Sequence, residues 1–154
     1  MISMKYQILA TALLPIAILA YYMYHKDKNQ PEPTEQLFKT MWFGAAAVIL
    51  SLGLSIPFGL LGLFSPNMTT IGDCVRMAFF GAAIPEEIAK LAMLWVALRK
   101  NPYFDEKMDG IVYAVFISLG FAALENVMYL FENQENLLAV GVSRALFAVP
   151  GHFC

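Results

Sequence analysis

Five stretches of this chain, residues 8–24, 41–64, 75–98, 110–131 and 137–153, are apolar almost throughout, and only short polar segments separate them. At a rise of about 1.5 Å per residue, roughly 20 such residues cross the roughly 30 Å hydrocarbon core of a bilayer. A soluble chain of 154 residues would struggle to hide a composition that is 59% hydrophobic and only 14% charged. The expected fold is therefore all-α, a polytopic transmembrane helical bundle of about five spans. It forms one membrane-embedded domain over residues 1–154, with its chemistry in 75–154. The connectors, at 25–35, 65–73, 99–109 and 132–135, are too short for a second domain.

Lys26, Lys28 and Lys39 fall on or beside the first connector, and Arg99, Lys100 and Lys107 on the third. The second has only Arg76 at its edge and the fourth has none. The positive-inside rule then places the first and third connectors in the cytoplasm and the N-terminus outside the cell membrane. The first span is expected to be a retained helix rather than a signal peptide. No small-residue cleavage site follows it, and Tyr21, Tyr22 and Tyr24 resemble an interfacial aromatic girdle. A net charge of −2 with no Lys/Arg-rich tract gives no support to nucleic-acid binding. Cys74 and Cys154, expected at opposite membrane faces, suggest neither a disulfide nor a metal site.

Within the third run stand Glu86 and Glu87, preceded by Pro85 and followed by Lys90. Ionisable side chains at bilayer depth cost about 2.5–3.5 kcal/mol each on insertion scales, so they face a protein interior or a wet cavity. Successive helical residues point about 100° apart, so one glutamate is expected to face a cavity while the other braces it. Lys90 is expected to stack on Glu86 at i, i+4. Pro85 removes a backbone donor and can kink the helix. A glutamate so placed suits a general base that takes a proton from water and returns it to a leaving amine. The alternative is that Glu86 and Lys90 form a buried ion pair that only fixes helix packing.

The fourth run adds Glu125 and Asn126 behind Gly120, Ala122 and Ala123, small residues that allow close helix contact. Glu125 either joins a cavity or snorkels with Tyr129 at the interface. Asp109-Gly110 reads best as the N-cap of that helix. The last run carries Arg144, a counter-ion for one of the carboxylates or a stabiliser of an oxyanion, and Pro150-Gly151-His152. His152 can position water, polarise a carbonyl, bind a metal or serve only as a structural hydrogen-bonder. Glu, Glu and His can ligate zinc, but no HExxH pair or second buried histidine supports it. No cofactor is expected, with a divalent metal such as zinc left open.

Taken in order, Pro85-Glu86-Glu87-Ile88-Ala89-Lys90, Asp109-Gly110, Gly120-Phe121-Ala122-Ala123-Leu124-Glu125-Asn126, and Arg144 with Pro150-Gly151-His152 resemble the PrsW family of membrane-embedded proteases. These are distant relatives of the CAAX prenyl endopeptidases. The resemblance covers Pro85 to His152 through the motifs EExxK, DG, GFAxxEN and a histidine on a later helix. It implies an intramembrane glutamate-type endopeptidase acting on a membrane-protein or peptide substrate, such as an anti-sigma factor. Glu86, Glu87 and His152 would be catalytic, with Glu125, Asn126, Lys90, Arg144 and Asp109 supporting them or binding substrate. Glu125 stands where the CAAX endopeptidases have a histidine, which leaves its role undecided. The resemblance also implies further helices beyond Cys154. The rival classes are a proton- or ion-coupled transporter, against which no inverted repeat is visible, and a non-catalytic membrane scaffold.

Overall fold

A computed structural model describes residues 4–27 and 30–153. It contains five helical rods. The first two are α1 (Met4–Lys26) and α2 (Thr34–Leu60). The third runs through α3 (Ile71–Arg76), a π-helical segment (Met77–Ala83) and α4 (Ile84–Leu98). The fourth is α5 (Lys107–Glu132). After a 3₁₀ turn at Gln134–Asn136, the fifth runs through α6 (Leu137–Ser143), a π-helical segment (Arg144–Ala148) and α7 (Val149–Phe153). Cys74 is free and exposed, whereas Cys154 and Lys28 lie outside the described residues.

Three of the expected spans, α1, α2 and α5, are unbroken helices long and apolar enough to cross a membrane. The third and fifth differ from expectation in being widened by π turns. Each π segment precedes a proline, Pro85 or Pro150, and contains the residue four positions before it, Gly81 or Leu146. A proline ring clashes with the carbonyl at i−4, and a widened turn relieves that clash. Proline alone does not enforce the widening, since Pro15 and Pro57 lie inside regular α-helix. The second rod stops at residue 60, short of the expected 64. Gly62 takes φ +69°, and the N–H groups of Gly62 and Leu63 reach back to the carbonyls of Gly59 and Phe58. These bonds form a Schellman stop, which only glycine adopts without strain.

The α5 helix is the axle of the bundle. Val112, Tyr113, Phe116, Ile117, Leu119, Phe121, Ala122 and Leu130 are all buried on it. A helix apolar all round is one that other helices surround. Ile16 and Met23 of α1, Leu37 of α2 and Val149 of α7 pack onto its first half, while Ala47, Val48 and Ala89 pack around Phe121. The crossing with α2 is very close: a Cβ on Gly120 would lie 2.0 Å from the Met41 carbonyl oxygen, and one on Gly44 would lie 2.0 Å from that of Ile117. The bundle's outer surface is apolar, with Trp42 at 76%, Ile49 at 71%, Leu91 at 67% and Phe147 at 75% exposure. In water such a surface would drive aggregation, but it suits lipid.

The first connector packs against the start of α5, so the first and third connectors share one end of the bundle. Tyr113 donates to the Glu32 carboxylate, and the Glu32 N–H donates to Asp27. Asp27, Glu32, Asp109 and Tyr113 are all buried. Burial raises the pKa of the Glu32 and Asp27 carboxyls, and the Asp109 charge raises both further. The unfolded chain therefore ionises first as pH rises. Stability is greatest below the ordinary carboxylate pKa and declines as pH climbs through the raised folded values. Glu32→Gln, which can still accept from Tyr113, is expected to raise Tm at pH 7 by about 2–4 °C and to flatten the decline of Tm above the ordinary carboxylate pKa. An unchanged pH profile in the variant would show that this carboxyl is not the titrating group.

Candidate active site

Glu86 and Glu87 lie in the first turn of α4, just beyond the π segment. The structure separates them: Glu87 is exposed, and Glu86 is half-buried against the fourth and fifth rods. Lys90 was expected over Glu86 but pairs instead with Glu87, Nζ to Oε1 at 2.7 Å and i, i+3. Both spacings lie on one helix face. The geometry here turns Glu86 inward and leaves Glu87, 73% exposed, to meet the 6% exposed Lys90.

Glu125 comes from α5 and His152 from α7, and the fifth rod's π segment supplies Arg144. Glu86, Glu125 and His152 each offer one ligand atom within 4.8 Å of the others. Three rods thus converge on one small volume. His152 Nε2 lies 3.1 Å from Glu125 Oε2, and its Nδ1 lies 3.0 Å from Lys90 Nζ. Arg144 donates from Nη2 to Glu125 and from Nε to Asn126 Oδ1 at 2.6 Å. It is the counter-ion of Glu125, and its guanidinium also lies 4.1 Å over the Tyr129 ring. Glu125, 18% exposed, is held within the bundle by Arg144 and His152 rather than reaching outward with Tyr129.

Asn126 is buried and donates from Nδ2 to the Ala12 carbonyl of α1 at 3.2 Å. It thereby ties Arg144, and through it Glu125, to the first rod. Asp109 lies apart from this cluster. It is sixteen residues before Glu125, about 24 Å along the axis at 1.5 Å per residue. It is also not the N-cap itself. Glu106 occupies that position, and Asp109, one turn in, accepts from the N–H groups of Asp105 at 2.9 Å and Glu106 at 2.8 Å. A carboxylate at N3 completes a capping box as well as one at N-cap begins it.

Sequence reasoning missed Phe121. Its ring centroid lies 5.3 Å from that of His152 and 4.6 Å from Lys90 Nζ, so it forms an apolar floor under both. The i, i+4 spacing of Phe121, Glu125 and Tyr129 was the available signal, because these residues share one helix face. Two clefts lie beside the cluster along α5. One of about 140 Å³ is bounded by Glu87, Lys90, Leu94 and Ser118, and a shallower one of about 460 Å³ by Tyr129, Asn133, Ser143 and Arg144.

The donor set is two carboxylates and one imidazole, with a third carboxylate, Glu87, one ammonium away from the imidazole. Metal–oxygen and metal–nitrogen bonds to zinc are about 2.0–2.2 Å, so modest side-chain rotation would bring the three ligand atoms onto one ion. The chemistry of these donors fits a borderline divalent cation.

The sequence profile of a family described as PrsW family intramembrane metalloprotease matches residues 32–154. Among curated proteins, the chain is 35% identical over 153 residues to a protein named Protease PrsW from Clostridioides difficile, covering 97% of this chain and 61% of that one. It is 29% identical over 147 residues to the Protease PrsW of Geobacillus kaustophilus, covering 96% and 61%, and also 29% identical to that of Bacillus subtilis, covering 96% and 63%. The chain thus spans about three fifths of the length of these relatives. No solved structure gives a significant match.

Proposed function

This chain belongs to the PrsW family, and on that footing we propose that it forms the catalytic part of a membrane-embedded endopeptidase. The enzyme hydrolyses a peptide bond in or near the membrane-spanning segment of another membrane protein. An anti-sigma factor is the substrate that the resemblance implies. The protein crosses the cell membrane several times, with its N-terminus outside and its first and third connectors cytoplasmic. The observation that carries this reading is the convergence of Glu86, Glu125 and His152 from three rods inside an apolar bundle. Three ionisable side chains gathered inside such a bundle are costly to bury, and groups of this kind in membrane proteins mark functional sites.

Glu86, Glu125 and His152 are the residues that would hold a divalent ion. When bound, such an ion supplies Lewis-acid polarisation of the scissile carbonyl and acidifies the attacking water. The divalent metal that the sequence leaves open is thus taken up in this reading, with these three as its holding set. Glutamate chemistry falls to Glu87. It lines the small cleft beside the cluster, and in this reading it takes the proton from water and returns it to the leaving amine. Arg144 neutralises Glu125, and Asn126 keeps Arg144 in place. The substrate, unwound from its helix, lies along α5 from the cleft at Ser118 to that at Tyr129, across the cluster.

The test is cleavage of a fluorogenic membrane-spanning peptide by the purified protein in proteoliposomes. Glu87→Gln is expected to slow cleavage by about 10²–10⁴-fold. Removing divalent ions with a chelator is expected to abolish it, and zinc to restore it. Cleavage at full rate by Glu87→Gln removes that residue as the base, and indifference to chelation removes the ion.

A further inference from the structure

Lys90 stands between two partners whose demands on it differ. Its ammonium has three N–H groups and no lone pair. It lies 2.7 Å from Glu87 Oε1 and 3.0 Å from His152 Nδ1. Facing an ammonium, Nδ1 must accept, so the proton of the neutral imidazole sits on Nε2. There it is donated to Glu125 at 3.1 Å. An imidazole in that tautomer directs no lone pair at Glu86 and Glu125. To ligate an ion beside those carboxylates, Nε2 must lose its proton and Nδ1 must carry one. An Nδ1–H and the Lys90 ammonium are both donors, so the two bonding patterns exclude each other.

We propose that Lys90 is a positioning residue that selects which nitrogen of His152 offers its lone pair to the carboxylates, and so decides whether the cluster accepts a divalent ion. The proposal rests on the reading of Glu86, Glu125 and His152 as the ion-holding set. Glu87 gives the ammonium its second resting place. It is on the same helix face, exposed, already bonded to Nζ, and beside the small cleft that both residues line. The Lys90 Nζ moves away from the imidazole toward Glu87. His152 keeps one proton, losing that on Nε2 to solvent and gaining one on Nδ1.

The chain has two histidines, so His25→Gln leaves His152 as the only one. With that protein in nanodiscs and ¹⁵N-labelled histidine, NMR before metal addition is expected to show the Nε2–H tautomer. Lys90→Gln is expected to bring in the Nδ1–H tautomer, because a glutamine carbonyl can accept from Nδ1–H whereas an ammonium cannot. In cobalt(II) titrations followed by visible absorption, Lys90→Gln is expected to bind about tenfold more tightly than Lys90→Met, although both remove the same charge. An Nδ1–H tautomer with Lys90 present overturns the proposal, and so does cobalt(II) affinity in both variants no greater than in the parent. If no variant binds cobalt(II), the ion-holding reading itself fails. The tautomer measurement then still decides whether Lys90 orients His152.

Discussion

Glu86→Gln and Glu125→Gln are each expected to lower cleavage of a membrane-spanning peptide by about three orders of magnitude, a loss typical of removing a principal catalytic group. The two should not multiply. Residues that act on the same reacting centre are strongly non-additive, so the double variant is expected to fall little below either single one. Circular dichroism should show no loss of helix in Glu86→Gln, because Glu86 makes no hydrogen bond among those found in the cluster. Glu125→Gln has a second consequence, since it leaves Arg144 partly buried without its carboxylate. Some loss of thermal stability should accompany the loss of rate in that variant alone. Measuring rate and Tm on the same preparations separates the two effects.

The second large effect is structural. Gly120→Leu is expected to cost at least about 3 kcal/mol and to leave little folded protein. Its Cβ would lie 2.0 Å from the Met41 carbonyl oxygen, and backbone cannot yield as the tip of a side chain can. The facing residue makes the same demand, with a Cβ on Gly44 meeting the Ile117 carbonyl oxygen at 2.0 Å. Gly53, by contrast, has nothing within 4 Å of the same position and should accept alanine without harm. Thermal unfolding in detergent checks all three. A Gly120→Leu protein with the parent's Tm would mean that α2 and α5 do not cross so closely.

The rods were legible because run length against bilayer thickness leaves little choice, and the expected 110–131 span falls within three residues of α5 at each end. Close packing through Gly120 was legible as well, since small residues in an apolar helix have few other uses. The π segments were not. Their i→i+5 bonding has no residue signature of its own, and the prolines that accompany them at Pro85 and Pro150 also occur at Pro15 and Pro57 within ordinary helix.

For the site, the motif order named the residues that meet, but not how they divide the work. Helical spacing puts Glu86 and Glu87 about 100° apart without saying which faces inward. It therefore favoured Lys90 on Glu86, when Glu87 takes the lysine. The buried carboxyls of Asp27 and Glu32 were overlooked, because acids in a polar connector read as solvated. Their burial depends on Tyr113, some eighty residues away in sequence, and no local pattern carries that contact. The part played by Ala12 was equally hidden, since a backbone carbonyl leaves no mark on the sequence.

The central claim is that three rods bring Glu86, Glu125 and His152 together to hold one divalent ion at the point of hydrolysis. X-ray absorption at the zinc edge on the purified zinc-loaded protein in lipid tests it most directly. The account predicts one ion per chain, a first shell of oxygen with a single imidazole, and loss of the imidazole signal in His152→Ala. Full proteolytic activity in a protein that holds no such ion, or an ion whose shell is unaltered in His152→Ala, would contradict it.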